Sequence, residues 1–183
     1  MGFLDKRLEI RLSGSGGQGI ILAGLVLAEA ALKSGWYVVQ TQSYGPEARG
    51  GASKAEVILS DAPVDYPMVT AADLLLAMNQ ESCDRYLGAV KTDGTVILDS
   101  TNVTHTPPTP TRVVSLPLTA VAREELGREM FANMVALGVI TSLTGEVSLR
   151  EAETAMLARV PPASTDINRK AFWLGVQLAN RLA

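Results

Sequence analysis

Apolar and polar positions along this chain change period twice. Leu8–Ser13 (LEIRLS) alternates with the period of a strand. A glycine-rich stretch, Gly14–Gly19, follows and predicts a turn. Gly19–Ser34 is then apolar at helical spacing for sixteen residues, about 24 Å of helix, with Gly35 placed to end it. Further strands are predicted over Tyr37–Thr41 and Ala55–Ser60, joined by a loop over Gln42–Ser53. The compact runs Leu74–Met78 (LLLAM) and Thr95–Asp99 (TVILD) have the continuous apolar character of strands covered on both faces. A short helix, Gln80–Gly88, lies between them, with Asn79 as its N-cap. Thr104–Thr111 holds three prolines and reads as a loop, and Arg112–Leu116 as one more strand.

From Leu118 the pattern becomes helical. Helices are predicted over Leu118–Leu126, Phe131–Thr144, Ser148–Val160 and Ile167–Leu182, the third opened by a capping box of Ser148 and Glu151. Phe131–Thr144 is apolar all round, which places it in a core or an interface; its small residues Ala132, Ala136, Gly138 and Ser142 permit close packing. Strands alternating with helices, then helices alone, predict a three-layer α/β/α domain. Its sheet is mostly parallel and Rossmann-like, its C-terminal part is helical, and one domain spans residues 1–183.

Composition narrows the function. The net charge is −3, with 16 basic and 19 acidic residues divided evenly between the two halves. A nucleic-acid binder or an anionic-membrane binder would need a basic face. One cysteine, Cys83, and one histidine, His105, are too few for an iron–sulfur cluster or a His-rich zinc site. Cys83 reads as packing and His105 as a solvated loop residue. With no leader pattern and no bilayer-length apolar run, the expected location is the cytoplasm.

Gly14, Gly16 and Gly19 form GxGxxG between a strand and a helix, an arrangement that can offer backbone N–H groups and a helix N-terminus to a phosphate. The alternative is a tight turn with no ligand. Dinucleotide sites place an acidic residue at the end of the second strand; here Gln40 and Gln42 stand at that place. The loop Ser43–Gly51 (SYGPEARGG) should share the sheet's carboxyl rim with the turn. In it, Glu47 and Arg49 are either a surface ion pair or a rigid presentation of Arg49 to an anion or a partner chain.

Taken in order, GSGGQG at Gly14–Gly19, QTQSYGPEARGGASKAEV at Gln40–Val57, LLAMNQ at Leu75–Gln80 and NMVALG at Asn133–Gly138 resemble the gamma subunit of 2-oxoacid:ferredoxin oxidoreductases. The SYGPEARGG form is most similar to the 2-oxoglutarate type. The resemblance is weakest over Thr101–Thr111. It implies a complex that converts a 2-oxoacid and coenzyme A to an acyl-CoA, CO2 and reduced ferredoxin. Thiamine diphosphate, Mg and the iron–sulfur clusters would be held by alpha, beta and ferredoxin-like delta subunits, and no cofactor by this chain alone. A non-catalytic role in assembly and active-site lining follows from the resemblance. Gly14, Gly16, Gly17, Gln18, Gly19 and Arg49 would form the coenzyme A or subunit-facing rim, with Ser43, Tyr44, Glu47, Gly50 and Gly51 beside them. A free-standing Rossmann-like nucleotide-dependent oxidoreductase, and the same subunit serving pyruvate or another 2-oxoacid, are the alternatives.

Overall fold

The computed structural model describes residues 6–43 and 52–182. Six strands make one sheet: β1 (Arg7–Ser15), β2 (Tyr37–Ser43), β3 (Ala52–Ser60), β4 (Ala72–Ala77), β5 (Val90–Asp99) and β6 (Arg112–Leu116), in the spatial order β2-β3-β1-β4-β5-β6. The helices are α1 (Ile20–Lys33), α2 (Gln80–Tyr86), α3 (Leu118–Leu126), α4 (Ala132–Thr144), α5 (Leu149–Arg159) and α6 (Thr165–Asn180). Strands β1, β4, β5 and β6 are parallel neighbours, whereas β3 runs antiparallel to both β1 and β2. The sheet is thus mostly parallel, with one reversed strand between β1 and β2.

Alternation along the strands sorts two unequal cores. Ile10, Leu12, Val57, Leu59, Leu76 and Ile97 point to one face. There they join Leu27 of α1, Val135 and Leu137 of α4, Met156 of α5 and Phe172 of α6 in the main apolar cluster. The other face carries Leu75, Ala77, Val96 and Leu98, packed under Cys83, Leu87 and Val103. Both faces of β4 and β5 are buried, as their unbroken apolar runs require. The second outer layer is thin, because α2 is the one described α-helix on that side.

Toward the β1–β3 side the thin face becomes polar. Arg11 is only 5% exposed. Its Nε donates to Glu56 Oε1 at 2.7 Å and its Nη2 to the Val69 carbonyl at 2.7 Å. Its guanidinium also lies 5.1 Å from the Tyr86 ring centre. Lys54 reaches the same Glu56 oxygen at 3.0 Å. Removing one member would leave a buried charge without its partner, the costly case for such pairs.

Boundaries shift where chemistry outweighs apolar pattern. β1 runs two residues past the expected strand end, because Gly14 and Ser15 pair with Ser53 and Ala52. β5 starts at Val90, not Thr95. Its polar Lys91–Gly94 segment extends along a bulge in β4, where Lys91 Nζ meets Asp73 Oδ1 at 2.7 Å and Asp73 Oδ2 accepts from the Glu9 N–H. α1 stops with the Trp36 N–H on the Ala31 carbonyl and Gly35 at φ 91°, a glycine-closed C-terminus. Ser148 caps α5 by accepting from the Glu151 N–H at 3.1 Å.

Candidate functional site

The carboxyl ends of β1, β4 and β5 form one rim. From β1 the chain passes through α1 to β2 on one side; from β4 it passes through α2 to β5 on the other. The order reverses between β1 and β4, which is where open α/β sheets bind ligands. In this chain that crevice is closed by its own side chain. Gln18 Oε1 accepts from the Ser15 N–H at 2.7 Å, and Gln18 Nε2 donates to the Met78 carbonyl at 3.3 Å. Gln18 therefore bridges the ends of β1 and β4.

Two further amides complete the lock. Asn79 Nδ2 donates to Ser15 Oγ at 2.6 Å, while its Oδ1 accepts from the Ser82 N–H at 2.9 Å and caps α2 as expected. Asn133, buried on α4, donates from Nδ2 to the Gly19 carbonyl at 3.3 Å. The glycines answer to these amides. A Cβ at Gly14 would lie 2.5 Å from Gln18 Oε1, and one at Gly19 would enter the Asn133 side chain. Gly17 and Gly19 also take positive φ, 89° and 72°. Gly19 is the N-cap of α1 and offers no side-chain acceptor to the helix.

Open space flanks the turn on both sides. Toward β3 a cleft of about 430 Å³ is lined by Ser15, Gly16, Gly17, Ile21, Leu25 and Ser53. Toward α3 and α4 one of about 290 Å³ is lined by Gln18, Asn102, Thr119, Glu129, Met130 and Ala132. Asp99, fully buried at the end of β5, holds Asn102 and Thr119, two of the residues that line the second cleft. It accepts from Thr119 Oγ1 at 2.5 Å, Asn102 Nδ2 at 2.9 Å and the backbone N–H groups of Thr101 and Thr119 at 3.2 Å. With four donors it is a helix-capping carboxylate, since the Thr119 N–H belongs to the first turn of α3.

The reversed strand β3 brings the loop's ends to this rim. Ala52 pairs with Ser15, and Ser43 ends β2 opposite Lys54. Ser43 is exposed. Tyr44, Glu47, Arg49, Gly50 and Gly51 lie outside the described residues. β3 also separates the end of β2 from β1 by one full strand, about 4.8 Å wider than adjacent strands allow. Gln40 and Gln42 are thus both uncharged and displaced from the place of a ribose-reading residue.

Other single residues are quiet. Cys83 is fully buried, and burial together with Asp84 raises its thiol pKa, away from the thiolate needed for nucleophilic work. His105 is exposed; its backbone N–H and carbonyl are held by Gln80. Among the described residues, no cluster of three or more His, Cys, Asp or Glu side chains is placed to hold a metal ion.

Residues 9–178 match the Pyruvate ferredoxin/flavodoxin oxidoreductase family. The 2-oxoglutarate synthase subunit KorC of Methanothermobacter marburgensis is 47% identical over 179 residues, covering 94% of this chain and 96% of that protein. A keto/oxoacid ferredoxin oxidoreductase gamma subunit from Geobacter sulfurreducens superposes with a TM-score of 0.88 at 50% identity, covering 96% of this chain and 98% of the other. A longer chain, from the 2-oxoglutarate:ferredoxin oxidoreductase of Magnetococcus marinus, superposes with a TM-score of 0.87 at 25% identity; 97% of this chain covers 32% of that one. With nearly the whole length matched in sequence and in structure, the chain belongs to the pyruvate ferredoxin/flavodoxin oxidoreductase family as a gamma subunit, most similar to those of the 2-oxoglutarate type.

Proposed function

We propose that this chain is a non-catalytic gamma subunit of a cytoplasmic 2-oxoglutarate:ferredoxin oxidoreductase, acting as one domain over residues 1–183. The complex converts 2-oxoglutarate, coenzyme A and oxidised ferredoxin to succinyl-CoA, CO2 and reduced ferredoxin. The observation that carries this reading is the near-full-length identity to a 2-oxoglutarate synthase subunit, 47% over 94% of the chain. Thiamine diphosphate, Mg and the iron–sulfur clusters sit in the alpha, beta and any delta subunits, consistent with one Cys and one His here. The chain contributes a rim: the Gly14–Gly19 turn and the Ser43–Gly51 loop face a partner subunit and its coenzyme A. Arg49 supplies the charge that can grip a phosphate or carboxylate at two points.

The test is co-expression with the other subunits. A stable complex should oxidise 2-oxoglutarate with ferredoxin and coenzyme A, and the isolated chain should turn over no 2-oxoacid. Preference of the complex for pyruvate or a branched 2-oxoacid would reassign the substrate. Within the complex, Arg49→Ala should lower subunit occupancy or raise the coenzyme A concentration needed for half-maximal rate. Unchanged assembly and kinetics would return Arg49 to the surface ion-pair reading.

A further inference from the structure

We infer that the outer edge of β2 and the outward stripe of α1 form one face on which a second copy of this chain docks, about a two-fold axis through Gln40. β2 ends the sheet, and among the described residues no strand pairs with its outer edge. Proteins shield such an edge with charges, proline, bulges or shortness. β2 has none of these. Its seven residues, YVVQTQS, are uncharged, free of proline and paired to β3 without a register shift. The opposite edge strand, β6, is five residues long and opens with the exposed Arg112.

The helix beside this edge is uncovered on the same side. α1 lies over β2 and β3, with Gly24 against Ala55, and packs on α4 and α5. Its free flank carries Ile21, Leu25, Ala28 and Leu32, one face at the spacing of helix–helix seams. Leu32 is 63% exposed, and Ile21 and Leu25 are half-buried. The helix's two charges, Glu29 and Lys33, lie beside this stripe and not on it, and Glu29 is turned to Arg159 of α5.

Strand and stripe are self-complementary about a single axis, and that identifies the occupant. Antiparallel pairing of β2 with its copy sets Gln40 against Gln40, Val39 against Thr41 and Val38 against Gln42, so no like charges are opposed. Gln40 Nε2, which donates to the Thr41 carbonyl at 3.1 Å within the strand, lies on the axis. The same rotation runs the two α1 helices antiparallel. Ile21 then meets Leu32 of the second copy, and Leu25 meets Ala28, a larger side chain over a smaller one. Because α1 sits over the β2–β3 pair, the two helices come two strand widths apart, roughly 10 Å, the spacing at which helices pack. The contact is isologous: one uncharged patch meets itself. A strand from another chain would satisfy β2 and leave the α1 stripe to be matched separately.

Sedimentation velocity of the full chain, from about 1 to about 100 µM, tests this. The parent should pass from monomer to dimer in that range. Gln40→Lys and Gln40→Glu set like charges on the axis, and each should raise the dimer dissociation constant at least about tenfold. Mixing the two variants should restore a dimer holding one of each. Leu32→Glu should weaken the dimer as much; its exposed position carries the test even where a charge at Gln40 disturbs β2. Val113→Lys, on the opposite edge strand, should leave the dimer unchanged. A parent that stays monomeric at about 100 µM would overturn the inference. So would a dimer indifferent to both Gln40→Lys and Leu32→Glu. Weakening by Val113→Lys would overturn it by moving the contact to β6. A monomeric parent whose assembly with alpha and beta subunits is blocked by Leu32→Glu would overturn it too, by giving this face to a partner subunit.

Discussion

Gly138 of α4 and Gly175 of α6 face each other's helix at one crossing. A Cβ on Gly138 would enter the Phe172 carbonyl, and one on Gly175 the Val135 carbonyl. Neither φ is left-handed, so the requirement is for backbone contact and not for a special conformation. Gly138→Ala and Gly175→Ala should each destabilise by about 1–3 kcal/mol, the range for overpacking a close-packed core. Thermal melting followed by circular dichroism should show a fall of several degrees in each. A variant that melts like the parent would mean the helices separate without cost.

Asn79 serves two elements at once. Asn79→Ala removes the α2 cap and the tie to Ser15, so it should cost about 0.5–2 kcal/mol. Loss of amide-hydrogen protection should centre on Gln80–Tyr86. A uniform loss across the chain would contradict the local role.

The GxGxxG turn should not bind NAD. Gln18 fills the crevice, and β3 displaces the end of β2. Titration calorimetry of the purified chain should show no heat of binding at micromolar concentrations. A micromolar Kd, about 8 kcal/mol of binding, would refute the assignment of the turn as closed.

The Glu29–Arg159 pair should give a small acid-side dependence of stability. Hydrogen bonds at 2.7 and 2.5 Å from Arg159, then its charge and that of Lys33, hold the Glu29 carboxyl below its ordinary value of 4.5, against an opposing effect of burial. The folded pKa is the lower one, so the stabilisation is present above the unfolded value and is lost as pH falls through the folded value. Both partners are more than a third exposed in their side chains, so solvent and salt screen the effect. Glu29→Gln should narrow the fall in melting temperature between pH 6 and pH 3, roughly the span across a carboxylate's titration. An unchanged slope would show that the pair does not form in solution.

The elements that apolar periodicity could reveal were legible in the sequence: α1, α4 and the two-sided strands β4 and β5. Caps were legible too, since Asn79 and Ser148 act through their own short-range bonds. Direction in the sheet was not. The segment Ala55–Ser60 has the same pattern whether it runs with β1 or against it, and only the pairing Arg7↔Ser60 to Ser15↔Ala52 decides. The extension of β5 into Lys91–Gly94 was hidden because its support is ionic and comes from Asp73, on another strand. At the site, the glycines of the turn could be read, but their purpose could not. Gln18 and Asn133 are 115 residues apart, and Asn133 gave no sign beyond an amide in an apolar helix. Asp99 looked like a strand end for the same reason: its donors come from the following turn and from α3.

The main apolar cluster draws on residues from Ile10 to Ala179. Such sequence separation has a consequence for how the protein is made. β1 leaves the ribosome first yet stands in the middle of the sheet, awaiting β3 and β4 on its two edges. The α4–α6 contact, with its paired glycines, cannot form until α6 has been added. The nascent chain therefore carries uncovered apolar rows until α6 is made, a period in which aggregation competes with folding. Closure of that cluster, and any joining to other subunits through the folded rim, must wait for α6.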